Sequence, residues 1–177
     1  AHAGHRSKAL FDAMAAEAPP RLSGFNGQNF ANTLWAFAKA KHKSKALFDA
    51  CAKEAIPRLP EFQAQHFANV VWAYGKAKHP SKALFDAVAK EALPRLHEFN
   101  EQNLGNTVWA FAAMDYKSPA LFDAVAAEAL PRLPEFPPEG LTQLAQAYAT
   151  ARHASPALLD AVRVCLQFSS SKSNICT

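Results

Sequence analysis

The feature that most constrains this chain is a short block repeated at a fixed interval. The block Ser-Lys/Pro-Ala-Leu-Phe-Asp-Ala recurs every 37 residues with no insertion or deletion. It begins at Ser7, Ser44, Ser81 and Ser118, and at Ser155 with Leu in place of Phe. Such a period is typical of stacked copies of one supersecondary unit, each burying its apolar face against its neighbours. We therefore expect a long repeated surface, which favours binding over catalysis.

The period divides the chain into four full units and a partial fifth. The full units are residues 7–43, 44–80, 81–117 and 118–154, the partial unit is 155–168, and a flexible tail is predicted over 169–177. Residues 1–6 align with the end of a unit, so we interpret the chain as a fragment or processed form that lacks its targeting peptide. The apolar runs are short, and no transmembrane helix is predicted.

The first half of each unit is predicted to be an amphipathic helix. Serine is a good N-cap, and Leu10, Phe11 and Met14 fall on one helical face in the first unit. Pro20 follows the cap by 13 residues and removes a helical hydrogen bond, so this helix is predicted to end or kink near Ala18.

The second half of each unit predicts a turn and another helix. Leu22 and Phe25 of the Pro-Arg-Leu-x-x-Phe turn are expected to fill the core, and a helix then begins after Asn26 and ends near His42. No strand pattern is present. The predicted fold is all-α, a right-handed α-solenoid of 37-residue helix-loop-helix repeats.

One face of each second helix carries side chains that core packing does not require. They recur at spacings of four and three residues, opposite the apolar face, so stacking the units would form parallel ladders. The ladder residues are Gln28, Asn32, Trp35 and Lys39, then Gln65, Asn69, Trp72 and Lys76, then Gln102, Asn106 and Trp109, and finally Gln143. Asparagine offers a donor and an acceptor and tryptophan offers a stacking surface, which suits single-stranded RNA.

A packing role explains the same pattern. A repeated large apolar residue often fills a core, so the tryptophans would close the gap between adjacent second helices. The asparagines would then bridge backbone groups between units. The two roles are compatible if the tryptophan ring edges face the groove.

Charge is distributed unevenly along the chain. Residues 1–95 carry 14 Lys or Arg against 7 Asp or Glu, a net charge of +7, and residues 96–177 carry 5 against 8, a net charge of −3. Lysines cluster where units meet, which explains solubility but also predicts contacts with a phosphate backbone. The lysines that we assign to phosphates are Lys39, Lys41, Lys76 and Lys78.

Other recurrent charged residues have simpler interpretations. Glu17 and Arg21 have the spacing of a surface ion pair, and the pair recurs in later units. Asp12 and its equivalents favour the positive end of the first helix, and the histidines at the ends of the second helices favour the negative end. No nucleophile–base pair or metal-ligand cluster is recognisable. We therefore predict no catalytic residue, no metal site and no cofactor.

The unit resembles the octotricopeptide repeat and, more loosely, the helical repeats found beside RAP domains. The Asn-x-x-Trp-Ala-Phe-Ala core at residues 32–38 and 106–112 and the Pro-Arg-Leu turn carry this resemblance. It implies RNA binding in a chloroplast or mitochondrion, with a role in transcript stability, processing, translation or ribosome assembly. The fourth unit departs from the pattern at Gln143 and Gln146, which weakens the case for base reading there.

Two functions follow as hypotheses. The first is a noncatalytic organellar protein that binds single-stranded RNA or rRNA, alone or with other proteins of a ribonucleoprotein complex. The second is a peptide- or protein-binding scaffold, or a structural subunit of a larger organellar complex. The basic first half favours RNA, and the acidic second half favours the scaffold.

Overall fold

The structure, a computed structural model, describes residues 8–173 and the side chains of residues 8–167. Over this range it contains helices and turns and no strand, so the predicted all-α class is confirmed. The predictions made for residues 1–7 and 174–177 lie outside the described residues.

Eight helices make four pairs that follow the sequence units. The first helices of the pairs are α1 (Lys8–Glu17), α3 (Lys45–Ala55), α5 (Lys82–Ala92) and α7 (Pro119–Ala129). The second helices are α2 (Gly27–Ala40), α4 (Ala64–Ala77), α6 (Glu101–Ala113) and α8 (Pro138–Ala151). A further helix, α9, covers Pro156–Ser173.

Proline ends the first helix of each pair, as the sequence predicts. A 3-10 turn follows each first helix, and we call these four segments the proline turns. They are Pro19–Gly24, Ile56–Glu61, Leu93–Glu98 and Leu130–Glu135. The leucine that follows the arginine in each turn is buried. The phenylalanine that follows is also buried except at Phe25, which is half-buried. These turns therefore contribute to the core.

The second helices have well-defined ends. The Asn26 side-chain oxygen accepts a hydrogen bond from the Asn29 backbone amide at 2.9 Å, and the Asn26 backbone amide donates to Asn29 Oδ1 at 3.0 Å, a reciprocal cap that Asn100 repeats at α6. At the other end, the backbone of Lys41 is left-handed (φ 56°), and the His42 amide donates to the Phe37 carbonyl at 3.0 Å. This is the Schellman arrangement.

The pairs associate through two sets of contacts. The second helices pack side by side in the order α2, α4, α6 and α8, and each later first helix packs on the proline turn of the preceding unit. One continuous apolar core runs from Leu22 to Val162. The exposed outer faces of α2, α4, α6 and α8 therefore lie next to one another on one surface.

Arginines of the proline turns join neighbouring units. Arg58 donates to the Ser23 carbonyl at 3.3 Å, Arg95 to the Phe62 carbonyl at 2.8 Å, and Arg132 to the Phe99 carbonyl at 2.7 Å. The predicted pair is present at Glu17–Arg21 and at Glu128–Arg132. Arg58 and Arg95 instead pair with a glutamate three residues later, because their side chains turn toward the preceding unit. They are inter-unit contacts more than surface braces.

The end of the chain differs from the sequence prediction. Helix α9 continues to Ser173, beyond the boundary predicted between a partial unit at 155–168 and a tail at 169–177. After Pro156 the chain has no proline and no glycine, so nothing stops the helix where the proline turn is missing. The boundary at residue 168 is therefore wrong as a helix end.

Candidate nucleic-acid interface

The predicted ladder lies on the outer surface of the second helices. All of the predicted site residues are at least partly exposed, and none is buried in the core. Because α2, α4, α6 and α8 are adjacent, the equivalent side chains of successive units are neighbours. We call the residues Gln28 to Trp35, Gln65 to Trp72, Gln102 to Trp109 and Gln143 on this surface the amide–tryptophan row.

The three tryptophans of the row differ in environment. Trp35 is 43% exposed, and the Lys39 ammonium lies 5.7 Å from its ring centroid. Trp72 and Trp109 are half-buried against the core, with ring centroids 6.2 Å apart and a tilt of 34°. Trp35 therefore presents the largest ring surface to a ligand, whereas the other two also hold α4 against α6.

The amides of the row change character along the chain. Asn32 and Asn69 make no side-chain hydrogen bond to another residue in the described part of the chain. Asn106, by contrast, accepts a 3.1 Å hydrogen bond from Gln143 Nε2. The first two units thus offer amide donors and acceptors to a ligand. In the third and fourth units, the Asn106 acceptor and the Gln143 donor are instead bonded to each other.

The predicted lysines extend the row toward the ends of α2 and α4. Lys39, Lys41, Lys76 and Lys78 are exposed, and within residues 8–167 none of them forms an ion pair. Lysines at the start of the first helices do form such pairs, for example Lys45 with Asp49 at 2.5 Å. The lysines at the ends of the second helices are therefore the cations available to an anionic ligand.

Sequence reasoning missed a set of contacts within each unit. The aspartate of each first helix meets the histidine or tyrosine that follows the second helix. The pairs are Asp12–His42 at 3.1 Å, Asp49–His79 at 2.8 Å, Asp123–His153 at 2.7 Å, and Asp86–Tyr116. Their constant offset of 30 residues was the available signal.

These pairs fasten the two helices of a unit together. In the second unit, a hydrogen bond from Lys45 and another from His79 hold the pKa of Asp49 below its usual value. In the third unit, hydrogen bonds from Lys82 and Tyr116 do the same for the pKa of Asp86. Tyrosine takes the place of histidine without loss of the contact, which indicates a structural role. Each of these aspartates is thus paired with a side chain that follows the second helix of its own unit.

The fold and this surface define the class of protein: an all-α chain of recurrent helix pairs whose adjacent second helices expose amides, aromatic rings and lysines. The family model described as RNA-editing substrate-binding complex 6 protein, RESC6, matches residues 1–134. The match covers more than half of the chain, and the chain belongs to this family. No curated protein matches it significantly.

Two further features bear on the function. Within residues 8–173, none of the helices combines the length and apolarity that crossing a membrane requires. The same residues contain no group of three or more histidine, cysteine, aspartate or glutamate side chains arranged to hold a metal ion.

Proposed function

We propose that the chain is a noncatalytic RNA-binding protein that acts within an organellar RNA-editing substrate-binding complex. The helix pairs would form a right-handed α-solenoid with a 37-residue repeat. Single-stranded RNA would lie along the amide–tryptophan row and cross the units in order. The RESC6 family description supports the association with RNA editing.

The observation that carries this proposal is that side-chain amides without a protein partner lie beside accessible aromatic rings. The side chains of Asn32 and Asn69 make no hydrogen bond to another described residue, and Trp35 and Trp72 lie one helical turn further along the same faces. Asn32 and Trp35 are exposed, and Asn69 and Trp72 are half-buried. Unstacked bases bind in this way, stacking on an aromatic ring and presenting polar edges to side chains.

The charge of the first half supports RNA as the ligand. Lys39 and Lys76 extend the row in α2 and α4, and Lys41 and Lys78 follow at the helix ends. They are exposed and lack ion pairs in the described residues, so a phosphate backbone would supply their counterions. The strand would therefore be held by stacking at the tryptophans and by charge at the helix ends.

A noncatalytic role fits the environment of the reactive groups. The Asp–His contacts recur with tyrosine in one unit, so they serve the helix pairs. The Cys51 side chain is fully buried, and burial raises the pKa of its thiol to about 12, which keeps it protonated and unreactive. Binding would be the activity of this surface.

The location and repeat type are part of the proposal. The resemblance to octotricopeptide repeats implies an organelle, and membership of an RNA-editing complex family favours a mitochondrion over a chloroplast and RNA processing over ribosome assembly. Localising the tagged protein in its native cells against mitochondrial and plastid markers would decide this. Presence in neither organelle would contradict it.

The second candidate function is a protein-binding scaffold, and one observation favours it. In α8 the row has no tryptophan, Gln143 bonds to Asn106 of α6, and Glu139 is exposed one helical turn before Gln143. This end would repel phosphates. The two functions are compatible if RNA occupies the first units and another subunit of the complex occupies the last.

Direct RNA binding is the test. We expect a hydroxyl-ended single-stranded RNA of about 12 nucleotides to bind the purified chain. Asn32→Ala plus Asn69→Ala should weaken this binding at least about 30-fold in fluorescence anisotropy, since each of the two lost base-edge contacts is worth about 1–3 kcal/mol. The matched control is Gln146→Ala, which removes an exposed amide at the tryptophan position of the fourth unit. Equal effects of the two, or no binding, would contradict the proposal, as would crosslinking in native cells that recovers proteins but no RNA.

A further inference from the structure

A cavity of about 610 Å³ lies where the first unit meets the second. Its walls are the segment between α2 and α3, the first turn of α3, and the end of α4. The buried rings of Phe37 and Phe48 form its base, with the His42 and His79 rings packed against them. Sites for small molecules typically measure about 300–1,000 Å³, so this cavity is large enough for a nucleotide.

The cavity is strongly basic. The lysines that line it are Lys41, Lys43, Lys45, Lys76 and Lys78. Of these only Lys45 forms an ion pair in the described chain, with Asp49. Asp49 also contacts His79, so both oxygens of the one carboxylate in the wall are already occupied. Four lysines without an ion pair in the described chain therefore line this cavity.

The same positions in later units do not repeat this charge. Moving the five lysine positions by one unit gives Lys78, Pro80, Lys82, Ala113 and Asp115. Moving them by two units gives Asp115, Lys117, Pro119, Thr150 and Arg152. Lysines that served only solubility would not need to cluster at one junction between units. All five lysines line the cavity at the junction of the first and second units.

We propose that this cavity binds a multiply charged phosphate group, either the phosphorylated end of an RNA or a free nucleoside polyphosphate. One phosphodiester of an internal strand carries a single negative charge, whereas four lysines without an ion pair in the described chain line the cavity. A terminal phosphate or a di- or triphosphate carries two to four charges in one compact group and would satisfy them together. The RNA source rests on the proposed function, and the free nucleotide does not.

The position of the cavity suits the end of a strand. Lys76 belongs both to the cavity wall and to the face of α4 that carries Trp72. A strand on the amide–tryptophan row would reach the cavity at Lys76, and its terminal phosphates would enter between Lys43 and Lys78. The first turn of α3 also lines the cavity, so the positive end of that helix dipole adds to the attraction.

The test compares three RNAs of one sequence that carry a 5′-triphosphate, a 5′-monophosphate or a 5′-hydroxyl, together with ATP and inorganic triphosphate alone. We expect the triphosphate-ended RNA to bind about tenfold more tightly than the hydroxyl-ended one, since each added ammonium–phosphate contact is charge-assisted. Isothermal titration calorimetry with ATP and inorganic triphosphate asks whether a free ligand occupies the site.

The decisive variant is Lys43→Gln combined with Lys41→Asn. Lys43 is not assigned to the RNA backbone but Lys41 is, so the readout is the ratio of the affinities for triphosphate-ended and hydroxyl-ended RNA. Asparagine tolerates the left-handed backbone at position 41. The control is Lys53→Gln with Lys90→Gln, which removes the same charge from exposed positions on α3 and α5 away from the cavity. The cavity variant should abolish the preference for phosphorylated ends, and the control should keep it.

Each outcome has a distinct meaning. Binding of ATP or inorganic triphosphate that the cavity variant abolishes, without a preference for phosphorylated RNA ends, supports the site and assigns it to a free nucleotide. Binding of hydroxyl-ended RNA with no preference and no free-phosphate binding overturns the cavity inference and leaves the proposed function standing. Binding of ATP or inorganic triphosphate without any RNA binding supports the cavity inference and overturns the proposed function. If the cavity variant and the control variant lose phosphate binding equally, the binding depends on overall charge, and the inference is overturned.

Discussion

The first two units and the last two units share a backbone and differ in surface. In units 1 and 2, the side chains of Asn32 and Asn69 make no hydrogen bond to another described residue, and lysines without ion pairs in the described chain follow at the helix ends. In units 3 and 4, Asn106 is bonded to Gln143, and Asp115 is paired with Lys117. The buried positions of α3, α5 and α7 are nevertheless equivalent, whereas α1 has no buried residue. Buried positions fix the fold, and exposed positions decide which part of it meets a ligand.

The largest expected effect tests whether the two halves are equally stable. Phe48 and Phe122 occupy equivalent core positions and are each 2% exposed. Replacing either by alanine should destabilise the chain by about 3–5 kcal/mol, because a buried ring leaves a large cavity. Urea unfolding followed by circular dichroism measures both. Phe→Leu at the same sites is the milder control, since Leu159 occupies this position in α9. A large loss in one half alone would break the equivalence.

The second prediction sharpens the difference in charge. If Lys39, Lys41, Lys76 and Lys78 contact phosphates, log affinity should fall with log salt at a slope of about 3, at about 0.7 per contact on a single strand. Affinity would then drop about 50-fold between 50 and 200 mM salt. The fourfold Lys→Gln variant should lose most of this slope. The control variant from the other half is Lys117→Gln with Arg152→Gln, which should leave the salt dependence of RNA binding unchanged. Equal slopes for the two variants would contradict a difference in phosphate contacts between the two halves.

The third prediction separates stacking from packing. Trp35→Ala should weaken RNA binding by about 1–3 kcal/mol, the usual worth of one stacked base, with little change in melting temperature, since Trp35 is 43% exposed. Trp109→Ala should instead lower the melting temperature, because its ring packs on Trp72. Anisotropy and thermal unfolding on the same samples measure both. A stability loss at Trp35 that matches the loss at Trp109 would return both residues to a packing role.

The sequence predicts the helices well because their signals are local. A proline at a constant position in the unit ends each first helix. Asn26 and Asn100 cap two of the second helices by exchanging hydrogen bonds with the asparagine three residues later. These signals need no knowledge of the neighbouring units. The same reasoning failed at residue 168, where a polar, serine-rich stretch predicts a tail but no proline or glycine stops the helix.

The contacts that depend on the relative placement of helices are harder to predict, because the constant offset of 30 residues between each aspartate and its partner does not by itself show that the two side chains meet. Asp49 and His79 are 30 residues apart and meet only because α3 and α4 pack as a pair. Arg58 and Arg95 were expected to brace their own helices, but their guanidinium groups reach carbonyls of the preceding unit. The sequence does not show that Lys43 lies near Lys76 and Lys78 of the next unit; the structure places all three in the wall of one cavity.

The smallest expected effect concerns acid stability and compares the within-unit contacts of the two halves. Asp49 contacts His79 in unit 2, and Asp86 contacts Tyr116 in unit 3. Hydrogen bonds from Lys45 and Lys82, respectively, are the main cause of the lowered pKa of each carboxyl. A pKa lowered by folding contributes stability above the unfolded value near 3.8, and that stability is lost as pH falls through the lower folded value.

Asp49→Asn and Asp86→Asn should therefore each be less stable than the parent chain at pH 6, with the difference shrinking as pH falls from about 4.5 to about 2. Both carboxyls are exposed, so solvent screening keeps the effect small. Urea midpoints across this range, with Asp160→Asn as a control for an exposed aspartate on α9, measure it. A difference that stays constant with pH would show that the aspartates act through shape alone. A change at Asp49 without one at Asp86 would show that the histidine and tyrosine partners are not equivalent, and the two halves would then differ in their within-unit contacts as well as in their surfaces.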